Sequence, residues 1–410
     1  MDDSTPARDL VAPVRRRPAP SAVVQRIPGW VRVALAMFAV GWGANQFAAM
    51  LLVYRAEDGA SSEMVTALFG AYALGLIPAL LIVAPISDRI GRRRVVRPVL
   101  VLSTIATVVL IVGRDSFELL LIGRLAAGIA SGAAFAPGTA WVKELSADRP
   151  GGTGARRATL ALSAGFGSGP LVAGICAQWL PAPTIVPYVP HLALMALVIA
   201  VAWHAPEPFV PRSADEPRRR SHVREALLSR PFLMAILLTA PWVFGAASTS
   251  FATLPTFVEI GVAPIAVTGA LAGLTLWTGV AIQPLGRRLG DPRLIITTGL
   301  GAAAAGLATG ILLDLTGLAW LVLPAAMLLG AAYGLVLVGG LTAVEALARP
   351  DDLGTLNAVF YSLTYVGFAA PLLNTLALTA ISPETLMLAG IAAIAATVPL
   401  VFASRPGRPR

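Results

Sequence analysis

The sequence predicts an all-α membrane protein of twelve transmembrane helices in two pseudo-symmetric six-helix halves. Three observations carry this. Of 410 residues, 56% are hydrophobic and 13% charged, where a soluble chain carries roughly 25% charge. Twelve apolar runs are bounded by charge, Gly or Pro, and about 20 apolar residues cross a hydrocarbon layer as helix. Short motifs also recur in the two halves at nearly constant spacing.

Residues 1–29 are polar and rich in Pro and Arg. They lack the apolar core of a cleaved leader and read as a disordered cytoplasmic tail. The first half covers 30–206, with runs at about 31–53, 64–86, 96–113, 117–141, 158–179 and 190–205. Residues 207–229, dense in Arg, Asp and Glu, are too polar to insert and form a cytoplasmic linker. The second half covers 230–403, with runs at about 231–256, 262–284, 293–313, 318–343, 355–379 and 385–403, followed by a tail at 404–410. The run at 190–205 is short, and Pro264 and Pro284 lie in 262–284.

Arg and Lys set sidedness, because translocated loops are poor in them. Of 31 such residues, Arg55 and Arg114 fall in loops of one side and Arg124 inside a span; the rest lie on the side of the termini. Both termini are therefore expected in the cytoplasm, in the cytoplasmic membrane of a cell. This bias explains the pI near 10.7 without nucleic acid: the charge is spread over short loops rather than gathered on one face, where it favours anionic lipid heads. A single cysteine, Cys176, excludes an internal disulfide or cysteine metal site.

The halves repeat. "APISDRIGRR" at 84–93 matches "GVAIQPLGRR" at 279–288 with an offset of 195, although Gln283 stands for Asp88. Glu144 precedes Pro170 by 26 residues, as Glu345 precedes Pro371. Parallel six-span repeats with a cavity between them are one plan of secondary transporters. The loop also resembles the first signature of the major facilitator superfamily, G-x-x-x-D-R-x-G-R-R: Asp88, Arg89, Gly91, Arg92 and Arg93 match, and Ala84 replaces the leading Gly. The resemblance covers about 30–403 and implies the major facilitator fold.

Gly91 permits a tight turn. Asp88 lies near a helix C-terminus, where an anion is disfavoured, so it needs a partner. A local arginine, Arg89 or Arg92, is one candidate. The resemblance implies another: the start of span eleven at Gly354–Asn357, making Asp88, Arg89, Gly91 and Arg92 a conformational latch.

Arg124 lies within span four. A mid-membrane arginine costs about 2.5–3.5 kcal/mol on insertion scales and faces a polar cavity unless it snorkels to the surface. Leu120, Arg124 and Gly128 resemble a second signature, L-x-x-x-R-x-x-Q-G, with Ala127 in place of Gln. The likeness to drug exporters implies a role for Arg124 in proton coupling. In span five, Ala161, Gly165, Gly169, Ala173 and Ala177 form a small-residue stripe suited to close helix approach, and Pro170 bends the helix. Gly165, Gly169, Pro170 and Gly174 resemble the drug/proton antiporter signature G-x-x-x-G-P-x-x-G-G, which implies efflux by antiport.

Asn45, Gln46, Trp277, Tyr333, Asn357, Tyr361 and Tyr365 are candidates to line a substrate cavity; Asn357, Tyr361 and Tyr365 share one helix face. No Asp or Glu occupies mid-span, and His191 and His204 flank span six, where interfacial positions are expected. If protons drive transport, their carrier is Asp88, Glu345 or a network with Arg124. No cofactor or metal site is expected, only a proton gradient. The expected partners are a small-molecule substrate and the lipid bilayer, and a monomer suffices. The reading is a secondary transporter exporting small amphiphilic compounds by proton exchange, with a metabolite uptake carrier or facilitator as the alternative. A receptor on the same scaffold is more remote. An enzyme is disfavoured because no His/Asp/Glu cluster sits on any span, and ATP drive because no phosphate-binding loop is present.

Overall fold

The computed structural model describes residues 26–57, 59–150, 152–208, 222–349 and 352–404. Among them, eleven helices are long and apolar enough to cross a membrane, and a shorter apolar helix makes a twelfth. The first half contains α1 Gly29–Ala56, α2 Ser62–Ile90, α3 Arg92–Val112, α4 Phe117–Glu144, α5 Thr153–Trp179 and the shorter α6 Val186–Ala202. The second contains α7 Phe232–Phe257, α8 Pro264–Arg288, α9 Pro292–Thr316, α10 Ala319–Leu347, α11 Leu353–Ala377 and α12 Pro383–Ala403. Twelve alternating spans return the chain to the face it started from, called here the terminal face. The segments 1–25, 209–221 and 405–410, which hold most of both expected tails and of the linker, lie outside the described residues.

Polar residues start the helices. Ser61, Ser116 and Ser382 accept hydrogen bonds from the backbone of Met64, Leu119 and Thr385, capping α2, α4 and α12, and so satisfy donors that a helix start leaves orphaned. The α2–α3 turn rests on Gly91 at φ +98°, a conformation costly for residues with a Cβ.

Glycines bring helices within each half into backbone contact. On α4, a Cβ at Gly128 would lie 2.1 Å from the Tyr72 carbonyl oxygen, and one at Gly132 2.3 Å from that of Leu76, both on α2. On α10, Gly330 and Gly334 meet the carbonyls of Thr275 and Gly279 on α8 in the same way. Both glycine pairs are 202 residues apart, so the repeat read from the loops extends to packing. The halves face each other along two equivalent seams, α5 with α8 and α2 with α11.

Span six differs from expectation. Pro190 read as its beginning, but a 3-10 turn at Val186–Tyr188 leads directly into the α-helix Val189–Ala202; proline is tolerated in a first turn, whose N–H has no helical partner. His191 is consequently fully buried, not interfacial, whereas His204 is exposed. Three spans are irregular. The helix of α1 is interrupted at Gln46. Wide π turns at Phe232–Leu237 and Thr249–Thr253 occur in α7, and a 3-10 turn at Gly367–Ala369 divides α11. Such departures mark places where a helix can bend.

Candidate functional site: the seam between the halves

The α5–α8 seam is closed from mid-membrane toward the face opposite the termini. A Cβ on Gly269 would stand 2.3 Å from the Pro170 carbonyl oxygen, and one on Gly174 2.9 Å from that of Ile265. Gln178 Oε1 accepts the Ile265 backbone N–H at 3.0 Å and ties the helix ends together. The other side of the α5 stripe rests on α1: Gly165 and Gly169 abut the carbonyls of Phe38 and Trp42. The stripe is thus divided between a partner within its half and one across the seam.

Aromatic rings close the seam at mid-membrane. Phe69 of α2 meets Phe251 of α7 and Phe368 of α11 at centroid distances of 6.0 and 5.2 Å. Tyr72 joins Phe368 at 5.7 Å, and Tyr365 stacks on Phe244 at 4.6 Å. Beyond the rings lies a pocket of about 220 Å³, lined from both halves by Arg55, Glu63, Thr66, Thr253, Thr268 and Thr375, among others. The Thr268 side chain is buried and its Oγ1 has no hydrogen-bond partner among the described residues. Asn374 Nδ2 donates to both Thr249 and Thr253, at 3.3 and 3.1 Å, and fixes that wall.

None of the residues expected to line a cavity borders this pocket. Asn45 and Gln46 are buried inside the first half: Asn45 Nδ2 donates to the Phe166 carbonyl at 3.4 Å, and Gln46 Nε2 to Thr107 Oγ1 at 3.4 Å. Trp277 packs its indole on Gly167 across the seam and is 43% exposed. Asn357 and Tyr361 are half-buried on the terminal half of α11, while Tyr365 and Tyr333 are buried. Sequence polarity found these side chains but could not say which way each helix turns. The pocket threonines escaped notice because threonine within an apolar run satisfies itself on the preceding turn, as Thr66 does on Ser62.

Arg124 is 1% exposed and does not snorkel. Its guanidinium donates to the carbonyls of Leu68, Ala44 and Phe69 at 3.2, 3.2 and 3.3 Å. The rings of Phe47, Tyr72 and Phe69 surround it at 4.6, 4.9 and 5.9 Å. No ion pair is formed by Arg124 among the described residues; carbonyl dipoles and aromatic faces stabilise the charge instead. It faces the interior of the first half, not the pocket.

At the terminal face, Asp88 pairs with Arg92, the local alternative of the two expected. Its side chain is 61% exposed, and no hydrogen bond joins it to Gly354–Asn357 among the described residues. Thr355 is exposed and a Cβ on Gly354 would meet open space. In this conformation α5 and α8 are in backbone contact toward the opposite face. Arg92, 12% exposed, is the hub: it also donates to Ser87 at 3.0 Å and reaches Glu144 of α4 at 3.1 Å. Arg89 is exposed. In the sequence Glu144 stands out only as a marker of the repeat.

The family model of the Major Facilitator Superfamily matches residues 33–371. The chain belongs to that superfamily. This facilitator is a transporter and not an enzyme, built on twelve helices as the sequence predicted. No curated protein matches its sequence. Among solved structures it is similar to a mutant of the nucleoside transporter NupG, at 12% identity and a TM-score of 0.71, covering 92% of this chain and 100% of that one. At that identity the likeness is one of fold, and the drug/proton antiporter branch rests on the motif resemblances alone.

Proposed function

We propose that this facilitator exports small amphiphilic compounds from the cytoplasm by exchange with protons, rocking residues 30–206 against 230–403. The observation that carries the reading is where the span-five motif lies. Gly165 and Gly169 seat α5 on α1, and Pro170 and Gly174 meet α8 at the seam, so residues resembling an antiporter signature stand at a contact that alternating access must break and remake. A ring-lined midsection with hydroxyls beyond it suits a solute with both an apolar and a polar side.

A second reading, uptake of a hydroxyl-bearing metabolite, is favoured by the pocket. Thr66, Thr253, Thr268 and Thr375 supply hydroxyls, and the unpartnered Thr268 Oγ1 suits a neutral, polar solute. The similarity to a nucleoside transporter fits a solute of that hydroxyl-bearing kind.

Everted vesicles acidified by respiration and loaded with a pH dye separate the two. Proton release on adding neutral, anionic or cationic amphiphiles, lost in Arg124→Ala, supports export by proton exchange. Counterflow of a labelled hydroxylated metabolite without proton movement supports the carrier.

A further inference from the structure

Proton exchange requires a group in the membrane interior that binds and releases a proton, and no carboxylate occupies the middle of a span. The described interior of the first half holds a histidine with an unusual setting. His191 is fully buried. Its Nε2 lies 3.1 Å from the Ala39 carbonyl of α1 and its Nδ1 2.8 Å from Thr107 Oγ1 of α3. A carbonyl only accepts, so Nε2 carries a hydrogen and Nδ1 is the position whose protonation can change. Thr107 Oγ1 is also 3.3 Å from the Ser103 carbonyl and receives Gln46 Nε2 at 3.4 Å.

We propose that His191 is the proton-carrying residue of the transport cycle, with the Thr107 hydroxyl as its two-position partner. The inference rests on the proton-exchange reading above. In the neutral state Thr107 donates its hydrogen to the Nδ1 lone pair. A proton arriving from water binds Nδ1, the new N–H donates to Thr107 Oγ1, and the threonine hydrogen turns to the Ser103 carbonyl. Release reverses each movement. Both states leave the ring's nitrogens matched, which a buried polar group requires.

The surroundings of the ring are polar but uncharged. α6 packs on α1 and α3, and its opening turn, Val186–Tyr188, also on α5. Toward the ring, α1 presents Ala39, Gly43 and Gln46, and α3 presents Ser103 and Thr107; none is charged. One turn earlier on α6, Tyr188 faces Tyr54 of α1 at 3.0 Å. At the terminal end, Arg97 of α3 bonds the Trp203 carbonyl and Arg32 of α1 donates to that of His204 at 3.4 Å. Arg124 of α4 is held on the Ala44 carbonyl of α1. The Gln46 Oε1 atom, on the same side chain that touches Thr107, has no partner among the described residues.

The site also has a mechanical connection. Ala39, Gly43 and Gln46 form one face of α1, which is interrupted at Gln46, and a Cβ on Gly43 would lie 2.5 Å from His191 Nε2. The neighbouring Asn45 is bonded to α5 through the Phe166 carbonyl, and α5 forms the seam with α8. A charge on His191 is therefore felt one helix away from the contact that must open.

The sequence contains three histidines, so the full-length chain carrying His204→Gln and His222→Gln, labelled with ¹⁵N in its imidazoles and held in lipid nanodiscs, reports His191 alone. The ring is expected to pass from the neutral to the doubly protonated form as the pH is lowered, without unfolding; a ring that stays neutral down to the pH at which the protein unfolds overturns the proposal. In the vesicle assay, His191→Gln is expected to lose at least tenfold in amphiphile-driven proton release while keeping counterflow of the same amphiphile. Thr107→Val, which removes the acceptor for a charged Nδ1–H, is expected to move the midpoint of the pH profile to lower pH; it and the ring titration decide the matter if His191→Gln does not fold. Wild-type release that persists undiminished in folded His191→Gln overturns the proposal alone. Absence of release in wild type overturns the proton-exchange reading and the carrier role with it.

Discussion

The carbonyl oxygen of Pro170 occupies the place beside Gly269 where a side chain would begin, 2.3 Å from the position of its Cβ. The obstructing atom is backbone, so it cannot turn aside as a flexible side chain would. Gly269→Ala must push α5 and α8 apart, and overpacking of this kind costs about 1–3 kcal/mol. We expect the variant to insert and fold with its seam wedged. In a Cys176→Ala background, a membrane-impermeant maleimide should label Thr268→Cys several-fold faster when Gly269→Ala is present. Unchanged labelling would show that the seam closes elsewhere.

Arg92 and Asp88 form one ion pair from unequal positions. The Asp88 carboxylate is mostly exposed, and exposed pairs contribute about 0–1 kcal/mol. Arg92 is largely buried and also holds Ser87 and Glu144, and hydrogen bonds to charged groups are worth roughly 1.5–3 kcal/mol. Thermal unfolding in detergent should therefore show a clear loss in Arg92→Ala and little in Asp88→Asn. If the latch forms when α2 and α11 close, Asp88→Asn changes the transport rate while expression stays normal; wild-type turnover would remove Asp88 from the cycle.

Thr268 separates stability from binding. Its buried hydroxyl lacks a partner, and an unsatisfied buried group costs about 1–3 kcal/mol. Thr268→Val keeps the shape and removes the cost, so the ligand-free protein should unfold at a higher temperature. If the hydroxyl meets the transported solute, the same variant raises KM. A stabilised variant with unaltered transport would assign the pocket no part in recognition.

Arg124→Lys should not be conservative. Three carbonyls from two helices are bridged by one planar fork, and an ammonium cannot reproduce that geometry. We expect a lowered unfolding temperature and at least tenfold slower transport, with Arg124→Met no better than the lysine variant. Equal transport by Arg and Lys would mean that charge alone matters there.

The spans, the duplication and the Gly91 turn were legible because they follow from local facts: enough apolar residues to cross lipid, a motif repeated at fixed spacing, a glycine where φ must be positive. Side-chain partners were less so. Asp88 had two open partners, and only the distance between α2 and α11 decides which is made in a given conformation. His191 was misplaced by a single turn of helix, since Pro190 reads as a boundary although a first turn accepts it. Asn45 and Gln46 read as cavity residues because polarity inside a span signals a function without stating a direction. Gly128 stood out in the sequence only as part of a signature, and Gly132, Gly330 and Gly334 not at all in a chain with 39 glycines; only the carbonyls opposite distinguish those that permit contact.

Arg124 has one further consequence. It is a permanent positive charge enclosed by the first half, with no anion to cancel it among the described residues. A transmembrane voltage falls mainly across whichever part of the seam excludes water. When the sealed region moves from one face to the other, a fixed charge passes from one side of that drop to the other without itself travelling far. Moving a full elementary charge through 100 mV is worth about 2.3 kcal/mol. The cycle should therefore be electrically biased even for an uncharged solute, and clamping the voltage should shift the balance between its two faces.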